Sequence, residues 1–287
     1  MKVYRSKKAA QMLRKTYDDL LLQWEIPVEE KDIKSPFGST HILIAGEPKS
    51  KPLILFHGVG DDSALMWLYN AKALAAKYRI YAVDTIGGPG KSKPGEKYNK
   101  TFDATEWIDS ILAEFHLDSV GVIGTSHGAY LAQYYGANRP QCVEKIVCLS
   151  GAIPVGNPMK TMMKIFLPEA LFPTRRNTEK LLRKLSGNYC DVFLKNETIM
   201  EHYQWLLKGF NNMAMRYHAI KPLTDEQINN IRPKTLYING NDDPFQLLAG
   251  KAVLEQYKMQ SLFFDHVGHG INHEISEQVN EILLDAF

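Results

Sequence analysis

The stretch Val120-Gly121-Val122-Ile123-Gly124-Thr125-Ser126-His127-Gly128 decides the fold. An apolar run with the composition of a buried strand enters a G-x-S-x-G turn with Ser126 at its apex. Ala129-Tyr130-Leu131-Ala132-Gln133-Tyr134-Tyr135 then continues the chain as a helix. A serine raised on so sharp a strand-to-helix turn leaves no room for side chains two residues before and two residues after it, and Gly124 and Gly128 stand at those places. The pattern predicts a nucleophile elbow. Because G-x-S-x-G also recurs by chance, the reading depends on whether the rest of the chain supplies partners for the serine.

A serine hydroxyl is a weak nucleophile at neutral pH and needs a histidine base, itself oriented by a carboxylate. Both follow in the order Ser, Asp, His. The run Thr235-Leu236-Tyr237-Ile238 leads into Asn239-Gly240-Asn241-Asp242-Asp243-Pro244, a strand end followed by a loop with two adjacent carboxylates. Asp243, three residues after the turn glycine and directly before the proline, is the predicted orienting acid and Asp242 the alternative; the pair also reads as the N-cap of a helix over 245–257, a purpose that one of the two can serve. The last apolar run, Leu262-Phe263-Phe264, is followed by Asp265-His266-Val267-Gly268-His269-Gly270. His269, beyond a glycine in the loop, is the predicted base. His266 is still leaving the strand, and His273, next in line, falls at the start of the final helix. For the oxyanion, Leu53-Ile54-Leu55-Phe56 opens onto His57-Gly58-Val59-Gly60, which offers the backbone N–H of Val59 to meet that of His127. The His57 side chain reads as a brace of this loop, and that of His127 as a candidate wall of the pocket.

Strands are expected at 30–34, 41–45, 53–56, 80–83, 120–123, 146–149, 235–238 and 262–264, with helices between most of them, the pattern of a mostly parallel sheet. The first two flank Ser35-Pro36-Phe37-Gly38-Ser39 and form an antiparallel hairpin; an amphipathic helix over about 6–24 precedes them. One interval breaks the alternation. Between 149 and 235 the chain is helical in pattern, with helices expected at 161–167, 178–185, 190–194, 197–210 and 212–217. This marks residues 152–231 as a helical cap inserted into a core made of 1–151 and 232–287. Its apolar residues, Met159, Met162, Met163, Phe166, Leu167, Phe172, Trp205, Phe210, Met213 and Met215, are expected to form the cap's core and to make the mouth of the site apolar. Pro168, Pro173, Gly187 and Gly209 read as helix ends.

The 287 residues are 45% hydrophobic and 23% charged with a net charge of +2. This excludes disorder and gives no compositional case for nucleic acid or a membrane surface as an obligatory partner. The basic start leads into charged residues from Gln11 to Leu20, which rules out a signal-peptide core, and no stretch is long enough to span a membrane. Three cysteines, Cys142, Cys148 and Cys190, cannot all pair, which fits reduced thiols in a cytoplasmic protein. Gly87-Gly88-Pro89-Gly90-Lys91-Ser92 imitates the end of a phosphate-binding loop, but Thr85 stands where that motif requires glycine.

With strand-H-G-x-G, the turn Asp84-Thr85-Ile86-Gly87, G-x-S-x-G, an acidic loop after Gly240 and a terminal Gly268-His269 in this order, the chain resembles the α/β-hydrolase superfamily over nearly its whole length. Phe37-Gly38-Ser39-Thr40-His41, Ser63-Ala64-Leu65-Met66-Trp67 and Val83-Asp84-Thr85-Ile86-Gly87 are similar to a bacterial group of carboxylesterases that includes naproxen-ester hydrolases. The resemblance implies an eight-stranded, mostly parallel sheet with the cap after the sixth strand. Serine at the nucleophile position, where dehalogenases and epoxide hydrolases of this fold carry aspartate, disfavours their chemistry, and the Asp84–Ser92 turn is one residue longer than the familiar form. The expected activity is cleavage of a small apolar carboxylic ester by Ser126, His269 and Asp243, with no cofactor or metal. The alternatives are the same triad acting on a lactone, thioester, carbon–carbon bond or acyl acceptor, and a slow-turnover ligand receptor with a hydrolase pocket.

Overall fold

The computed structural model describes residues 2–154, 165, 169, 171–245 and 250–287. Its strands are β1 (Glu29–Ser35), β2 (Gly38–Ala45), β3 (Pro52–Phe56), β4 (Arg79–Val83), β5 (Lys93–Pro94), β6 (Val120–Thr125), β7 (Val143–Leu149), β8 (Thr235–Gly240) and β9 (Gln260–Phe264). The sheet runs β1-β2-β4-β3-β6-β7-β8-β9, with β5 paired to β2. All pairings from β4 and β3 onward to β9 are parallel, while β1 and β2 form the expected antiparallel edge hairpin, Ser35 opposite Gly38.

The pairing explains the sequence pattern. The central strand β6 is flanked by parallel neighbours and covered on both faces, so every one of its residues is buried and it reads as an unbroken apolar run. Successive residues point to opposite layers. Ile54, Phe56, Val122, Ile146 and Cys148 enter one core with Trp107 and Tyr237. Leu53, Leu55, Ile123, Val147 and Leu149 enter the other, with Leu13, Tyr17 and Trp67.

Each of the eight expected strands is present within a few residues, but the sheet has a ninth. Strand β5 is two residues long and contains a proline, so it has no periodicity to read. After the loop that follows β3 the chain forms two short helices, Ser63–Met66 and Ala71–Ala75; the side chain of Asn70, between them, donates to the Asn272 carbonyl and the Asn280 side chain. The N-terminal helix is Lys7–Leu22, capped by Ser6.

Between β7 and β8 lie helices Arg175–Leu185, Asp191–Leu194, Glu197–Gly209 and Asp225–Ile231. The segment expected as a helix at 212–217 is a single 3-10 turn, Asn212–Met215. The helix expected at 161–167, with Met159, Met162, Met163, Phe166, Leu167 and Pro168, lies outside the described residues apart from Ile165, which is buried. Of the other apolar residues in this insertion, Phe210 and Met215 are buried with Val3 and Ala214. Phe172 and Met213 instead face solvent, 70% and 60% exposed, which corrects their assignment to its core. The helix after Asp243 is Gly250–Gln256, with 246–249 undescribed.

At the elbow, the glycine requirement has an atomic cause. A Cβ on Gly124 would overlap the Gly128 carbonyl, and one on Gly128 would overlap the carbonyls of Phe56 and His57. Both collisions are with backbone at the junction of strands and helix, so neither can be relieved by a rotamer change. Gly128→Ala is therefore expected to lose at least about 3 kcal/mol of stability. An unchanged chemical-unfolding midpoint in this variant would show that the elbow can relax.

Candidate active site

Ser126 sits between β6 and helix His127–Asn138 with φ 55° and ψ −114°, a conformation that costs a non-glycine residue energy and that the surrounding sheet enforces. Its N–H bonds to the Leu149 carbonyl at 2.9 Å, tying the apex to the end of β7. The hydroxyl does not cap the helix it begins. The N–H of His127 is the first of that helix and has no intrahelical acceptor, so it points outward with the positive end of the helix dipole.

The loop after β3 lies directly against this serine. A Cβ placed on Gly58 would come within 3.5 Å of the Ser126 Cβ. His57 holds the loop in shape: its Nδ1 donates to the Gly58 carbonyl at 2.7 Å and its Nε2 accepts from the Thr85 N–H at 2.8 Å. With both ring nitrogens engaged, His57 is a brace. Val59 packs on the insertion's cluster of Phe210, Ala214 and Met215.

At the far side, the His269 Nδ1 and Asp243 Oδ2 are 2.8 Å apart. Asp243 is 1% exposed, and its other oxygen accepts from the Phe245 N–H at 2.8 Å. Asp242 is exposed. The His269 backbone is clamped by its N–H to the Leu185 carbonyl at 2.6 Å and by the Ser150 hydroxyl on its own carbonyl at 2.7 Å. Ser150 directly follows β7 and bonds through its N–H to Ile238 of β8, so the ends of these strands set the height of the imidazole. His273 is elsewhere: it is buried, its Nε2 donates to the Leu65 carbonyl at 2.9 Å, and burial pushes its pKa down to about 4.

Two supporting residues, Glu274 and His218, escaped the sequence reading. The carboxylate of Glu274 accepts from the Gly268 N–H at 3.1 Å and the Gly187 N–H at 2.8 Å, linking the His269 loop to the insertion. The His127 ring donates through Nε2 to the His218 carbonyl at 3.1 Å, and His218 in turn donates to the Ile86 carbonyl at 2.8 Å. Burial pushes these two histidines down to about 4 and about 3, so both are neutral at pH 7. His218 is ringed by Tyr98, Phe102 and Trp107, which no local pattern in the sequence announces.

Asp62 caps helix Ser63–Met66 through Leu65 and pairs with His202 of the insertion at 2.8 Å; His202 Nδ1 reaches Thr16 of the N-terminal helix at 2.7 Å. Burial alone would raise the Asp62 pKa, but His202 beside it brings the carboxyl below its ordinary value. One contiguous network thus joins the loop after β3, the insertion and the N-terminal helix.

The loop that imitates a phosphate cradle is committed differently. The Lys91 ammonium pairs with Asp18 and Glu30 over the Tyr17 ring, and Ser92 donates to the Asp84 carbonyl. The buried Asp84 carboxylate accepts from the Ser63 and Lys91 N–H groups, so the lengthened turn is a brace for the loops around the site. Among the described residues, no cluster of three or more His, Cys, Asp or Glu side chains is placed to hold a metal ion, and no helix is long and apolar enough to cross a membrane.

Comparison with known proteins agrees with this architecture. Carboxylesterase YbfK of Bacillus subtilis is 25% identical over 272 residues, 93% of this chain and 90% of that protein. A second protein of the same organism, the uncharacterized carboxylesterase nap, is 31% identical over 137 residues, 48% of this chain and 45% of its own length. The crystal structure of naproxen esterase from B. subtilis superposes with a TM-score of 0.83 at 22% identity, covering 98% of this chain and 99% of that one. The sequence model of the family described as alpha/beta hydrolase fold matches residues 51–274, from β3 to the helix after His269, and the chain belongs to that family.

Proposed function

We propose that this protein is a carboxylesterase that cleaves small apolar esters through an acyl-enzyme. Ser126 attacks the ester carbonyl while His269 takes its proton, and Asp243 holds the imidazole with Nδ1 protonated so that Nε2 is free to accept. The N–H groups of Val59 and His127 receive the oxyanion. His269 then returns the proton to the leaving alkoxide and activates the water that releases the acid. Residues 152–231 act as the cap that shapes the acyl pocket, and the three unpaired thiols support a cytoplasmic setting.

The observation that carries this reading is the 2.8 Å bond between His269 and a buried Asp243, in loops after the carboxyl ends of parallel strands, as is a serine held at positive φ. The names of the relatives support the choice of an ester among the bonds that this arrangement can cleave. The test is to treat the intact protein with a fluorophosphonate and map the modified peptide, then to assay p-nitrophenyl esters of increasing acyl length. Stoichiometric modification at Ser126 with turnover of short or medium esters is expected. A folded protein that stays unmodified and inert would overturn the reading in favour of a receptor with a hydrolase pocket.

A further inference from the structure

The core of the fold pins the loop after β3 at both ends: His57 Nε2 accepts from the Thr85 N–H at 2.8 Å, and the Ser63 N–H donates to Asp84 at 3.0 Å. Between these pins the loop rests on the insertion. Val59 packs against Phe210, Ala214 and Met215, and a Cβ placed on Gly60 would lie 3.6 Å from the Asn212 side-chain oxygen and 4.0 Å from the Phe210 ring. One oxygen of the buried Asp62 is 2.8 Å from His202 Nε2, and the other caps Leu65. His202 is itself fully buried, and its Nδ1 lies 2.7 Å from the Thr16 hydroxyl, so the ring is fixed at both nitrogens. The helix Glu197–Gly209 and the turn that follows it therefore back this loop on one side, while Gly58 abuts Ser126 on the other.

We propose that His202 is a positioning residue for the oxyanion donor of Val59, acting through Asp62; this rests on the esterase reading above. The grip has two points. Asp62 is tied to the insertion helix by a contact shielded from water, and Val59, three residues earlier, is held by packing on the chain directly after that helix. So short a stretch, fastened at two places to one body, cannot shift the Val59 N–H unless the helix moves with it. An oxyanion donor acts only when its N–H stands at bonding distance from the charge that develops, and a misplacement of about 1 Å costs up to about 10²-fold in rate. The insertion thereby takes part in stabilising the transition state as well as shaping the acyl pocket. Loosening the grip raises the barrier without weakening substrate binding, whereas a merely structural contact would change stability and leave the kinetics of the folded protein alone.

Three variants separate positioning from folding: Asp62→Ser, which keeps a capping oxygen for Leu65 but is too short to reach His202; His202→Ala; and His202→Gln, which keeps an N–H donor for Asp62. With p-nitrophenyl butyrate, Asp62→Ser and His202→Ala are expected to lower kcat about 10- to 100-fold while KM changes less than about twofold. Affinity for a trifluoromethyl ketone, whose adduct with serine carries an oxyanion, should fall by the same factor, and His202→Gln should recover most of both losses. The proposal is overturned by a loss confined to KM, by kcat within about twofold of wild type in folded Asp62→Ser protein, by ketone affinity that does not follow kcat, or by a glutamine variant no better than alanine. Should the wild type cleave no ester, the esterase reading falls by itself and amide exchange decides about the grip. Residues 57–62 are expected to exchange faster in Asp62→Ser while β6 keeps its protection; unchanged exchange of the loop would show that His202 does not hold it.

Discussion

Ser126→Ala is expected to lower kcat for p-nitrophenyl esters by about 10⁶-fold, the scale of losing a nucleophile from a working triad. The protein should stay folded, because the hydroxyl makes no capping bond to the helix that it begins and the elbow is held by the Ser126 N–H on Leu149 and by the two flanking glycines. The alanine keeps the backbone N–H groups beside the site, so residual hydrolysis above the rate in buffer is expected from oxyanion stabilisation alone. Steady-state assay alongside a thermal melt separates this outcome from misfolding. Turnover retained at more than a few per cent of wild type would remove Ser126 from the mechanism.

The second large effect belongs to Asp243→Asn, which is expected to reduce kcat by about 10⁴-fold. An amide that donates toward His269 Nδ1 forces the ring proton onto Nε2, where it blocks acceptance of the serine proton. A fully buried carboxylate with both oxygens bonded, to His269 and to the Phe245 N–H, has no way to turn away from this geometry. Asp242→Asn is the control. That side chain is exposed and one residue away, and its loss should change kcat less than twofold if Asp243 is the orienting acid. Equal effects at the two positions would mean that the loop presents either acid.

What could be read from the sequence was whatever obeys a local rule. The elbow is legible because its glycines answer clashes within a few residues of chain, and β6 and β7 are legible because burial on both faces leaves only apolar side chains. The place of Asp243 before a proline, a constraint on the backbone, favoured it over Asp242, and the structure buries Asp243 against His269 while Asp242 is exposed. By contrast β5 is made by its partner, since two residues beside Gly38 and Ser39 carry no pattern of their own. Met213 and Phe172 were placed in the insertion's core from their chemistry alone, and solvent exposure of single large apolar side chains is ordinary. Glu274 and His218 owe their properties to what lies around them from distant parts of the chain. Burial or an aromatic cage leaves no trace in spacing.

The network that joins Thr16, His202 and Asp62 also bears on the order of assembly. The Thr16–His202 contact spans 186 residues of chain, and the N-terminal arm pairs with the far end of the same helix through Arg5 on Gly209 and Asn211 on Val3. During synthesis the first helix therefore emerges long before the surface that it covers exists, and its apolar face, with Leu13, Tyr17 and Leu20, must wait exposed or be shielded until residues near 210 leave the ribosome. A helix made long before its partner surface is among the last to find its place.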